Sequence, residues 1–124
     1  MFKHERLDVW NEAIQFVCEV YHKTKSFPSD ERFGLTNQVR RSSNSVAANI
    51  AEGCSRSTDR EYIRYIEIAY ASLAETDSHL EVSVRLNFLS VEDHKCLRDQ
   101  AERIGRMLSG LRASLERSLS TSKP

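Results

Sequence analysis

Leu97, Ala101, Ile104, Leu108, Leu111 and Leu115 recur at alternating steps of four and three residues near the end of the chain. That spacing draws one apolar seam down a single side of a helix. A seam of this length must be covered, so the chain has to supply further helices with matching faces. Three more are found. Leu7, Trp10, Ile14, Val17 and Tyr21 follow the same period at the start, with a second apolar row beside it, Val9, Ala13, Phe16 and Val20. Leu35, Val39, Ser42, Val46 and Ile50 share a second face, and Tyr62, Ile66, Ala69, Leu73, Leu80 and Val84 a third.

The boundaries have local causes. Pro28 removes an amide donor and disfavours helical geometry at Phe27, while Ser29 or Asp30 can cap the next helix. Gly53 stands where a helix end favours a residue tolerant of the left-handed conformation. Thr58 to Glu61 has the spacing of a capping box, and Ser90 precedes Asp93 in a similar start signal. Helices are therefore predicted at about 7–27, 31–54, 59–87 and 91–117 in one domain over 1–119, with a disordered tail at 120–124. Short connectors make neighbouring helices antiparallel, so the predicted fold is all-α, an up-down-up-down four-helix bundle. Pro and Gly together number only six of 124 residues, consistent with helix throughout.

Most of the distinctive chemistry lies at 33–65. Six arginines (Arg32, Arg40, Arg41, Arg56, Arg60 and Arg64) face three acids there, although formal charge over the whole chain is zero. Arg40, Arg41, Arg56, Arg60 and Arg64 are candidate phosphate contacts for nucleic acid. The competing account is a solvated face with intrahelical pairs such as Glu52 with Arg56, or Glu61 with Arg60 or Arg64. Asp77 falls beside the third apolar row, where a carboxylate needs a partner; an arginine of the second helix is the candidate for a structural ion pair. The row Val9, Ala13, Phe16 and Val20 either packs between bundle neighbours or meets another subunit, and is the candidate oligomer interface.

Catalytic and metal constellations are missing from the sequence pattern. His4, His22, His79 and His94 are scattered without Glu-x-x-His spacing, and the four glycines are isolated. No catalytic residue, metal site, cofactor or small-molecule substrate is expected, nor enzymatic activity. Cys18, Cys54 and Cys96 are odd in number with no C-x-x-C, as for buried thiols in a reducing compartment. With no signal peptide pattern and no apolar run long enough to span a bilayer, a cytoplasmic protein without membrane contact is expected.

LDVW near the start, FGLTNQVRRSSNSVAANIAEG in the middle and SxxREYIRYxxIAxxSLAE after it resemble the 23S rRNA intervening-sequence protein family. The resemblance runs from Leu7 to about Leu89. It implies a bacterial four-helix bundle that assembles into a homopentameric ring, of unestablished molecular function. Two departures are visible: Val46-Ala47-Ala48 where the family usually has Ile-Pro-Ser, and Thr76-Asp77 where it often has Leu-Glu. A more distant likeness is to the accessory variability protein of diversity-generating retroelements, a basic pentameric bundle that engages nucleic acid. The expectation is thus a non-catalytic homo-oligomeric scaffold, with RNA or an RNA-protein complex as candidate partner. The alternative is a protein-protein adaptor, or a purely structural oligomer with no nucleic-acid binding.

Overall fold

A computed structural model describes residues 1–122. Four helices carry the chain: α1 (Asp8–Thr24), α2 (Leu35–Cys54), α3 (Asp59–Arg85) and α4 (Val91–Ser122). Each packs on its neighbours in sequence, and α4 closes against α1, leaving α1 opposite α3 and α2 opposite α4. This is the all-α up-down-up-down bundle.

Start signals act as their chemistry requires. The Thr58 hydroxyl accepts the Glu61 amide at 3.2 Å, and Ser90 Oγ accepts the Asp93 amide at 3.0 Å. The first connector departs from the expected pattern. Ser29–Glu31 forms a short 3-10 turn, and α2 begins only at Leu35, whose amide is accepted by the Glu31 carboxylate at 3.1 Å. A side-chain acceptor four residues upstream therefore replaces the Ser29 or Asp30 cap. Gly53 also differs from expectation. No glycine has a positive φ, and α2 continues to Cys54. Gly53 is instead where α2 and α3 come closest, since a Cβ there would lie 2.7 Å from Tyr65 Cβ. At the other end of the chain α4 carries helix through Ser122. Positions 123 and 124 of the expected tail lie outside the described residues.

The core is continuous. Phe16, Val20, Val39, Val46, Ile50, Ile66, Leu80, Leu97, Ile104 and Leu108 are fully buried side chains of all four helices. Val9, Ala13, Phe16 and Val20 are 6%, 0%, 0% and 0% exposed within one chain, so they fill the bundle interior and cannot be an oligomer interface. The other row, Trp10, Ile14, Val17 and Tyr21, lies on the outer edge. Side-chain chemistry explains the choice. Trp and Tyr carry polar tips that favour half-burial, whereas Val, Ala and Phe leave no polar group to satisfy. Tyr21 uses its edge position to accept the Asn44 amide at 2.9 Å through its hydroxyl.

Between α2 and α3 the contact is polar as well as close. Ser45 and Ser72 hydroxyls are 2.9 Å apart, and the buried Thr76 hydroxyl is 2.8 Å from Ser42 Oγ. Thr76, not Asp77, occupies the core slot between Leu73 and Leu80. No described helix is long and apolar enough to cross a membrane.

Candidate functional site

The arginines of 33–65 do not form one face. Arg40 is built into the α1–α2 contact. Its Nε donates to Thr24 Oγ1 at 2.9 Å, a guanidinium NH2 donates to the Tyr21 carbonyl at 3.3 Å, and the group lies 4.6 Å above the Tyr21 ring. Tyr21 O is among the last carbonyls of α1, so Arg40 closes that helix end from a neighbouring helix. Arg56 is committed in the same way. It donates to Glu52 Oε1 at 3.0 Å and to Tyr65 OH at 2.7 Å, and stacks over the Tyr65 ring.

Arg41, Arg60 and Arg64 are exposed, and none has an acidic partner within ion-pairing distance among the described residues. Arg60 and Arg64 sit one turn apart on α3. Arg41 is remote from them: Gly53 faces Tyr65 across the helix pair, and Arg41 is twelve residues before Gly53, which is about 18 Å along a helix. Five candidate phosphate ligands thus resolve into two structural arginines, a pair and one distant single.

This division has a measurable consequence. Arg40→Ala removes two hydrogen bonds and an aromatic contact at a partly buried position, and should cost about 1–2 kcal/mol. Arg41→Ala touches no such feature and should stay within about 0.5 kcal/mol of the parent. Urea denaturation of the two single variants compares them directly.

Asp77 lies 3.5 Å from Arg98 Nε of α4, and Arg98 also holds Glu102 at 3.0 Å. The arginine expected from the second helix is replaced by one from the fourth, because Asp77 points to the α4 side of α3 while Ser72 and Thr76 meet α2. Two histidine–carboxylate contacts were not anticipated from the sequence. His79 Nε2 is 3.1 Å from Glu75 and His94 Nε2 is 3.6 Å from Glu81. The first has i,i+4 spacing and was legible; the second joins α3 to α4 and was not.

Other reactive groups are dispersed. Cys18 and Cys96 are exposed and Cys54 is half-buried, so the thiols are free but not buried as expected. Spacing alone had placed them inside, but Cys18 falls on the outer side of α1, away from its Val9–Phe16 row. Tyr62 has a hydroxyl shielded from solvent without a hydrogen-bond partner, and burial, with Cys54 and Asp59 nearby, raises its pKa well above that of an ordinary tyrosine. Such a phenol stays protonated and unreactive. Burial works against the charge on Lys23, but the Cys96 thiol and Asp93, at 3.4 Å, outweigh it and hold the ammonium above the ordinary lysine range. Among the described residues no group of three or more His, Cys, Asp or Glu side chains could hold a metal ion.

The largest concavity lies between α3 and α4, a groove of about 540 Å3 floored by Leu73, Ala74, Ala101 and Gly105. Tyr70 walls it, and Asp77, Arg98 and Arg106 stand at its rim.

None of the curated proteins matches the chain. Among solved structures it is similar to a protein of unknown function from the S23 ribosomal protein family of Bacteroides thetaiotaomicron. The two share 22% identity with a TM-score of 0.78, over 84% of this chain and 97% of that one, which extends the likeness to the whole bundle. The family model for the 23S rRNA-intervening sequence protein matches residues 5–110, which covers all of α1, α2 and α3 and most of α4. With the bundle, its small-residue second helix and this match in agreement, the chain belongs to the 23S rRNA-intervening sequence protein family.

Proposed function

We propose that this protein is a non-catalytic scaffold of the cytoplasm that assembles with copies of itself through the outer face of α1 and α2. The observation that carries the reading is an uncharged, partly apolar face in a chain that is 29% charged. Ile14 and Tyr21 are 36% and 40% exposed, with Cys18 between them and Asn44 and Ala48 of α2 alongside. The charges of α1 lie elsewhere: Glu12 pairs with Arg103 and Lys23 with Asp93, both on α4. On α2 no charged residue occurs between Arg41 and Glu52. Depletion of charge around half-exposed aromatic and aliphatic groups is what the centre of a protein interface requires. A closed ring, with five copies as the family resemblance implies, follows if the face meets a different surface of the next copy.

Ile14→Glu and Cys18→Glu put charge into this face without touching the core. Each should reduce the assembly to the 14.3 kDa monomer in sedimentation velocity while helical circular dichroism is retained. Variants that stay assembled would move the interface elsewhere, and a monomeric parent chain would remove the scaffold reading.

A second reading, binding of RNA or an RNA-protein complex, is favoured by the exposed pair Arg60 and Arg64. Repetition around a ring would let such weak phosphate contacts sum. Anisotropy of a structured RNA across a salt series tests it: charge reversal at Arg60 and Arg64 should flatten the salt slope, and no binding at low salt by an assembled protein would leave the adaptor alternative.

A further inference from the structure

Gly105 is the least expected residue of α4. It is buried in the middle of a 32-residue helix, where glycine is a poor choice. At Gly53 a close helix contact explains the glycine. At Gly105 none does: a Cβ would meet Tyr70 Cε2 at 3.6 Å and Leu73 Cδ2 at 3.7 Å, ordinary contact distances. What an alanine would do there is raise the floor of the α3–α4 groove.

The groove has the volume and lining of a small-molecule site, mostly apolar with a few polar groups at its rim. Its charge is asymmetric. At one end Asp77 and Glu102 share the single cation Arg98, leaving an excess of one negative charge. Asp77 Oδ1 is shielded from solvent and accepts no hydrogen bond, with Arg98 Nε no nearer than 3.5 Å. Tyr70, 49% exposed, presents its ring beside this acceptor. An apolar trough, an aromatic wall and an acceptor lacking a donor in a locally negative field define the chemistry of the occupant.

We propose that the α3–α4 groove binds a compact aromatic ammonium compound, its ring over Gly105 against Tyr70 and its N–H donated to Asp77. The ring replaces water over Leu73, Ala74 and Ala101, and the ammonium supplies both the missing donor and the missing positive charge.

Tryptamine is the probe, and indole-3-propionate, which carries a carboxylate instead of the ammonium, is its control. Titration of the full chain followed by amide NMR should give saturable shifts at Ala74, Ala101 and Gly105, with indole-3-propionate weaker by about tenfold or more, the order of one charge-assisted hydrogen bond. Asp77→Asn should erase the preference between the two probes. Gly105→Ala should raise Tm yet weaken tryptamine by a similar factor. That combination separates a loss of site from a loss of fold. Equal binding of both probes, shifts away from the groove, or a Gly105→Ala chain that binds like the parent would each overturn the proposal. So would a second copy of the chain occupying the groove, seen as assembly that protects Gly105 and is indifferent to tryptamine.

Discussion

A Phe16→Asp chain is expected to lose its fold, with random-coil circular dichroism and collapsed amide dispersion at 25 °C. Phe16 is 0% exposed and sits in the core with Ala13 and Val20, which are equally buried. Truncating a buried phenylalanine costs about 3–5 kcal/mol through lost transfer and the cavity left behind. Aspartate adds a carboxylate in apolar surroundings, which must either remain charged without a partner or take up a proton. Together these approach the whole stability of a domain this size, about 5–15 kcal/mol. Ile14→Asp, two residues away on the outer row and 36% exposed, is the internal control and should keep its helical signal. A folded Phe16→Asp monomer would mean that α1 is turned about its axis, with its Trp10 row facing the other helices.

The contrast between Phe16 and Ile14 shows where the sequence stops being informative. Periodicity identified two apolar rows on α1 but could not rank them, because hydropathy alone treats Trp10 and Tyr21 as it treats Val9 and Phe16. The deciding property is the polar tip of the aromatic residues, and for Tyr21 it becomes visible only with Asn44 and Arg40 beside it. Elements whose causes are local were legible. The Thr58 and Ser90 caps depend on residues three apart, and the seam of α4 depends on spacing alone. Arg40 with Tyr21, Asp77 with Arg98 and Gly53 with Tyr65 all join different helices, so one sequence could supply the members of each pair but not the pairing. The arginine-rich stretch misled for the same reason. Two of its five candidate ligands, Arg40 and Arg56, are tied to tyrosines at sequence separations of 19 and 9 residues.

Gly53→Ala and Gly105→Ala should shift stability in opposite directions, although both replace a buried helical glycine. Each gains about 1 kcal/mol from the intrinsic helix preference of alanine over glycine. At Gly105 nothing opposes that gain, since the nearest side-chain atoms to the new methyl are at 3.6 and 3.7 Å. At Gly53 the methyl would stand 2.7 Å from Tyr65 Cβ and 3.2 Å from Tyr62 Cδ1. Tyr65 Cβ is fixed to the α3 backbone and cannot rotate away, so α2 and α3 must separate. Separation strains the hydrogen bonds further along the same pair, Ser45 with Ser72 and Thr76 with Ser42. Overpacking of this kind costs about 1–3 kcal/mol, enough to cancel or exceed the helix gain. A net loss of about 1 kcal/mol is expected for Gly53→Ala, and Gly53→Leu, with three more carbons to place, should lose more than about 3 kcal/mol. Urea midpoints at constant slope would establish the order Gly105→Ala, parent, Gly53→Ala, Gly53→Leu. A stabilised Gly53→Ala chain would show that α2 and α3 have slack at their point of closest approach, and that the small residues of α2 serve something other than close helix packing.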